Sequence, residues 1–213
     1  MKAVIALCVA LLAAPGLLWA KDIRITVRDA NGPLAGVVVA LTGAEPVKPV
    51  QAEIYQKDRQ FHPQLLIVPV GSRVDFPNRD NTQHQVYSFS PAKPFNLKLY
   101  ADRPDAPIVF DKPGIVELGC NIHDRMQAFI VVTSTSDIGQ TDADGRITLS
   151  AEAEDMVDGR VPVTLWHPRL ADTTHPVKRT VDPNTPADLT LELTPEPVRD
   201  NALDRLQRRF QDL

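Results

Sequence analysis

The chain has 213 residues, 43% of them hydrophobic, a length that suits one large β domain or two small ones. Its 27 acidic side chains outnumber its 23 basic ones, for a formal net charge of −4. That balance, with no basic run in the body of the chain, makes nucleic acid a poor partner.

The N-terminus predicts export. Lys2 supplies a positive start, Ala3 to Leu18 is an apolar stretch broken only by Pro15 and Gly16, and Leu18-Trp19-Ala20 offers a small residue just before Lys21-Asp22. This is the layout of a cleavable signal peptide over residues 1–20, whereas a membrane anchor wants about 20 unbroken apolar residues. The expected location is therefore periplasmic, with no transmembrane segment after cleavage. Cleavage leaves 193 residues with about five net negative charges. It also removes Cys8 and leaves Cys120 alone. A single cysteine in an oxidising compartment cannot close an internal disulfide, so it bridges two chains, lies inert in a core, or is a thiolate held by a metal.

From Asp22 onward the pattern is of short strands separated by turn signals, punctuated by 19 prolines. Strands are predicted over 22–28 and 36–42, flanking an Asp29-to-Pro33 turn cluster. A middle block follows with strands at 65–70, 73–76, 84–89, 95–99, 108–110, 115–118 and 128–132. Later strands are expected at 146–149, 161–166 and 188–193. Such spacing means an all-β sandwich or barrel. Residues 22–43 resemble the opening hairpin of a transthyretin-like or carboxypeptidase-regulatory sandwich, and 139–167 resemble a later part of it. The expected organisation is that sandwich, formed from 21–43 plus 134–195, with a second sandwich over 44–133 inserted into it. The alternative is one domain with irregular β extensions. In the tail, 196–213, Asp200 or Asn201 could cap a helix carrying Leu203, Leu206, Phe210 and Leu213 on one face and Arg205, Arg208 and Arg209 on another.

The chemistry concentrates in Gly119-Cys120-Asn121-Ile122-His123-Asp124-Arg125-Met126, where a thiolate, an imidazole and a thioether lie within seven residues between two strands. Two histidines and one cysteine with a long axial methionine make the blue-copper electron-transfer arrangement. His84, at the start of a strand after a polar turn, is the expected second imidazole. Zinc seldom uses a thioether and prefers closed Cys/His tetrahedra. His62, His167 and His175 adjoin prolines and are read as loop or edge residues, and Leu65, Ile67 and Phe129 as core. Asp142 and Asp144 are read as a type I turn, because the rest of a calcium loop is missing.

Residues 44–133 resemble the cupredoxin family, more narrowly the plastocyanin-like "methylamine utilization" group of exported bacterial proteins. The resemblance is carried by Phe61-His62-Pro63, Val70-Gly71, Val74-Asp75-Phe76-Pro77-Asn78, Asp80, His84 to Ser88, Gly114 and Cys120 to Met126, and in the flank by Trp166-His167-Pro168. It implies a cupredoxin-like Greek-key β-sandwich with one copper ion per chain, held by His84, Cys120, His123 and Met126. It also implies a one-electron carrier rather than an enzyme, serving unnamed periplasmic redox partners, with His123 nearest the surface. The chain departs from plastocyanins and azurins in its tighter Cys-x2-His-x2-Met spacing and in having Gln85 where asparagine is usual. A copper chaperone or store, or an interaction module with structural copper, are the alternatives. Storage fits poorly, because only Met126 and Met156 remain after the leader.

Overall fold

The computed structural model describes residues 20–43, 47–123 and 126–195. The leader before Ala20 and the expected helical tail over 196–213 lie outside the described residues. In chain order the strands are β1 (Lys21–Asp29), β2 (Gly32–Pro33), β3 (Val38–Leu41), β4 (Gln51–Glu53), β5 (Tyr55–Lys57) and β6 (Gln60–His62). There follow β7 (Leu65–Pro69), β8 (Ser72–Asp75), β9 (Tyr87–Ser88), β10 (Phe95–Asn96), β11 (Ile108–Phe110) and β12 (Gly114–Gly119). The last six are β13 (Gln127–Thr133), β14 (Ile138–Gln140), β15 (Arg146–Ala151), β16 (Val161–Trp166), β17 (Val177–Val181) and β18 (Ala187–Thr190). The chain is all-β, and among the described residues the helical content is one 3-10 turn at Ala153–Asp155. No helix among the described residues is long and apolar enough to cross a membrane.

The strands form two pairs of facing sheets. One pair is β15-β1-β18, with β2 hairpinned onto β1, and β14-β3-β16-β17. The other is β10-β9-β12-β13-β7 and β11-β8-β4, with the β5–β6 hairpin as a separate ribbon. Chain-distant strands become neighbours throughout, and β13–β7, β4–β8 and β1–β18 pair in parallel. Crossing connections of the Greek-key kind are the way a sandwich reaches such an order.

Two cores fill the layers. The first gathers Ile23, Ile25 and Val27 of β1, Val38, Val39 and Leu41 of β3, and Val163, Leu165 and Trp166 of β16. The second gathers Phe61, Val68, Val74, Phe76 and Phe110 around Val116, Leu118, Ile130 and Val132. The five-stranded sheet belongs to both. Along β13, Phe129 and Val131 point into the first core while Ala128, Ile130 and Val132 point into the second. β12 divides in the same way, Ile115 to one side and Val116 and Leu118 to the other. A strand covered on both faces is apolar at every position, which is why 128–132 reads as an unbroken hydrophobic run rather than an alternation.

Several boundaries differ from the sequence expectation, each for a local reason. Of the strand expected over 84–89, only Tyr87 and Ser88 join a sheet, because His84 is tied across to Tyr100 by a separate bridge, His84 N–H to Tyr100 O and the reverse, both at 3.0 Å. The hairpin β5–β6 was not expected, since its turn residues Asp58-Arg59 contain no glycine to announce it; His62 ends the edge strand β6 of this two-stranded ribbon. β17 and β14, edge strands of their sheet, were also missed. The Asp142–Gly145 segment is a turn closed by Gly145 N–H to Asp142 O at 3.0 Å, with Asp144 N–H on the Asp142 carboxylate at 2.9 Å. Gly145 has φ +72°, and a Cβ there would stand 2.4 Å from Val27 O, so the turn accepts no other residue without moving β1.

Trp166 ties the layers together: its ring meets Phe129 of β13 edge-on at 5.0 Å and its indole N–H donates to Thr173 O at 2.8 Å. Trp166→Ala is expected to lower unfolding free energy by about 3–5 kcal/mol. Urea denaturation with an unchanged m-value is the measurement, and a loss below about 1 kcal/mol would mean that Trp166 does not hold the first core against β13.

Candidate metal centre

Three elements deliver the site. β12 ends at Gly119, so Cys120 is the first residue past a strand held on both faces, and Met126 is the last residue before β13 starts. The loop between is cinched by Cys120 N–H to Met126 O at 3.3 Å and Met126 N–H to His123 O at 3.4 Å. His84 arrives from the segment before β9, whose Tyr87 pairs with Gly119. That pairing needs a glycine: a Cβ on residue 119 would lie 2.7 Å from the Tyr87 ring.

The side chains of His84, Cys120 and His123 converge, their ligand atoms all within 4.8 Å of one another. His84 Nδ1 and His123 Nδ1 are 3.1 Å apart, and each is 3.8 Å from Cys120 Sγ. His84 is fully buried, Cys120 nearly so, and His123 is partly exposed. Met126 is buried with its side chain in the second core, and it lines the same cleft of about 710 Å³ as Cys120 and His123.

These distances fit a metal ion. An ion bonded at about 2.0 Å to nitrogen and about 2.3 Å to sulfur would reach all three donors at these separations, and two imidazole nitrogens with one soft thiolate sulfur are a donor set that would suit copper. Among the described residues no other group of three or more His, Cys, Asp or Glu donors comes together. His175 pairs with Asp172, Nδ1 to Oδ2 at 2.8 Å, on the exposed surface. Thr174 donates to Asp172 and, with His175, brings that carboxyl down to about 2. His167 Nδ1 accepts the Arg169 N–H at 3.2 Å, and His62 stacks on Tyr55.

Sequence reading assigned no role to Asp80, yet it touches the site. Its Oδ2 is 2.7 Å from His84 Nε2. Donation from Nε2–H to this carboxylate leaves Nδ1 unprotonated, its lone pair turned toward Cys120 and His123. Burial works against ionised Asp80, but the Arg59 N–H, the His84 ring and the Asp58 N–H outweigh it and lower its pKa. The i, i+4 spacing of Asp80 and His84 across a polar turn was the available signal. Asn78 shapes that turn: its Oδ1 accepts Asp80 N–H at 2.9 Å and its Nδ2 donates to Thr82 O at 2.7 Å. Tyr100 seals the inner side. Its hydroxyl is 2.7 Å from Phe76 O and 2.8 Å from Gln56 Oε1, and burial pushes its pKa up.

No protein-family model matches the chain, and no curated protein matches it. Among solved structures it is similar to a copper-containing nitrite reductase from Thermus scotoductus, at 26% identity over 44% of this chain and TM-score 0.38; it spans 25% of that chain. It is also similar to amicyanin. A reduced tryptophan-to-tyrosine mutant aligns at 17% identity with TM-score 0.36, covering 45% of this chain and 98% of that one. An oxidised proline-to-alanine mutant of amicyanin aligns with the same values.

In the metal-free chain, burial first and then the neighbouring His84 lower the pKa of His123 below its ordinary 6.5. The folded state therefore binds fewer protons than the unfolded one just below pH 6.5. The neutral-ring contribution to stability is complete above pH 6.5 and falls away as pH drops toward the lowered value. An NMR titration should place His123 below 6.5, and His123→Gln should flatten the fall in urea midpoint between about pH 6.5 and 5.

Proposed function

We propose that this chain is an exported blue-copper protein that carries single electrons between periplasmic redox partners and catalyses no reaction of its own. The observation that carries the reading is the convergence of His84 Nδ1, His123 Nδ1 and Cys120 Sγ, 3.1 to 3.8 Å from one another. In this reading Met126, which shares the second core with Cys120, would be the weaker fourth donor.

Bound copper would supply a one-electron couple between Cu(II) and Cu(I). The protein's own contribution is to keep the donors in one arrangement through both states. Cys120 is anchored by the end of β12, Met126 by the start of β13, the ring of His84 by Asp80 and its backbone by Tyr100. Donors this constrained cannot follow the preference of either oxidation state, so the rearrangement that accompanies each electron is small. His123 is partly exposed, next to Ile122, which is 47% exposed. In this reading its edge is where an electron enters and leaves, one electron from a donor protein and one to an acceptor, with no bond made or broken. Four protein donors also leave no firmly open position for a substrate. The leader over residues 1–20 supports the periplasmic assignment.

The test is to load the purified chain with Cu(II) and record its visible spectrum and copper content beside Cys120→Ser. The expected result is one copper per chain and an intense thiolate-to-copper band, absent in Cys120→Ser, with reversible bleaching on reduction and no release of copper. Copper that binds equally well without the thiol, or leaves on each reduction, would overturn the electron-carrier reading in favour of storage or a structural ion.

A further inference from the structure

The β5–β6 hairpin carries the least favourable backbone near the site. Its strands end at Lys57 and resume at Gln60, so the turn has two residues, Asp58 with φ 54° and Arg59 with φ 58°. A two-residue hairpin with both residues at positive φ is the type I′ turn, whose usual sequences are Asn-Gly, Asp-Gly and Gly-Gly. Asp58 suits the first position, but Arg59 stands where glycine is usual. A left-handed pair without glycine persists only where the surroundings hold it.

What holds it is Asp80. Its Oδ1 accepts the Asp58 N–H at 2.7 Å and its Oδ2 accepts the Arg59 N–H at 3.0 Å. The same Oδ2 takes the Nε2–H of His84 at 2.7 Å. The backbone fixes the spacing between turn and carboxylate: Gln56 N–H donates to Pro77 O at 3.0 Å, and Arg79 N–H to Gln56 O at 2.8 Å. Oδ2 thus serves both the strained turn and the ligand ring, so a movement of the carboxylate is felt by both.

We infer that the Asp58-Arg59 turn is a positioning element for His84, coupled to it through Asp80, so that filling the metal site and ordering this turn are one linked event. The inference rests on the copper reading of the His84, Cys120 and His123 cluster. When a cation draws on His84 Nδ1, the Nε2–H becomes a stronger donor and pulls the carboxylate into a single orientation, the one in which both turn amides are satisfied. By reciprocity a turn held in place favours metal binding by the same factor. Asp80 is a positioning residue in this scheme, and its negative charge also favours Cu(II) over Cu(I).

The experiment compares amide hydrogen exchange at Asp58 and Arg59 in the purified chain with and without one equivalent of Cu(I). The internal reference is the Asn31 amide, which sits on the Asp29 carboxylate at 2.8 Å in the flanking sheet. The expected result is about tenfold slower exchange at both turn amides with copper, and no comparable change at Asn31. Asp80→Asn should abolish the slowing and raise the midpoint potential by about 59 mV, a tenfold change in relative affinity for the two oxidation states. Bound copper with no change at the turn amides would overturn the inference. So would an Asp80→Asn potential equal to wild type, which would leave Asp80 a turn cap only. If Asp80→Asn does not fold, exchange in the wild-type chain decides alone. Failure to bind Cu(I) at all would instead sink the copper reading, and this inference with it.

Discussion

Burial of the β12–β13 hairpin on both faces is the constraint on which the site depends. Side chains alternate along these strands into two separate cores, Phe129 and Val131 on one side and Ala128, Ile130 and Val132 on the other. A one-residue slip in register would carry every one of them to the wrong layer. Fully burying a single such side chain contributes about 1.5–3 kcal/mol, so slippage is strongly opposed. Because the hairpin cannot slip, its loop has fixed ends, and Cys120 and Met126 are those ends. Those ends are tied to one another by Cys120 N–H to Met126 O, and Met126 is tied back to His123 by its own N–H.

Charge within the site is arranged as carefully as shape. Two imidazole nitrogens 3.1 Å apart beside a sulfur are a collection of lone pairs, which a folded chain gathers only where a proton or a cation can satisfy them. The Asp80 carboxylate decides which nitrogen of His84 carries its proton and so which one faces the cluster. Tyr100 works from the other side, bridging to the His84 backbone while its hydroxyl reaches Phe76 O and Gln56. Asp80 thereby sets the ring and tautomer of His84, and Tyr100 its backbone.

The flanking sheets do more than extend the chain. Their core presses on the outer face of the five-stranded sheet through Trp166 against Phe129. The loop after β16 then reaches the metal centre's cleft: Thr173 lies 3.4 Å from Glu117 of β12, and Thr174 lines the cleft with Cys120 and His123. Anything that approaches Cys120 from this side meets residues from both halves of the molecule, including Phe89, which is 83% exposed.

What the sequence by itself determined is the information carried by local order. All-β structure was legible because short apolar runs alternate with proline and glycine signals, and β16 was placed correctly at 161–166. Cys120, His123 and Met126 were legible as a group because they lie within seven residues, and a single loop keeps such neighbours together. What only the tertiary structure decided is everything that joins distant segments. His84 was expected beside Cys120 and His123 from its place after a polar turn and from the family resemblance, but the pairing of Tyr87 with Gly119 that accompanies its approach leaves no mark in either segment alone. The β5–β6 hairpin stayed hidden because its turn, Asp58-Arg59, has no glycine and takes its left-handed geometry from a carboxylate 21 and 22 positions away. Asp80 was named among the residues of the resemblance but given no role, for the same reason: a carboxylate acquires its role from the three donors around it, and those donors come together only when the chain has folded.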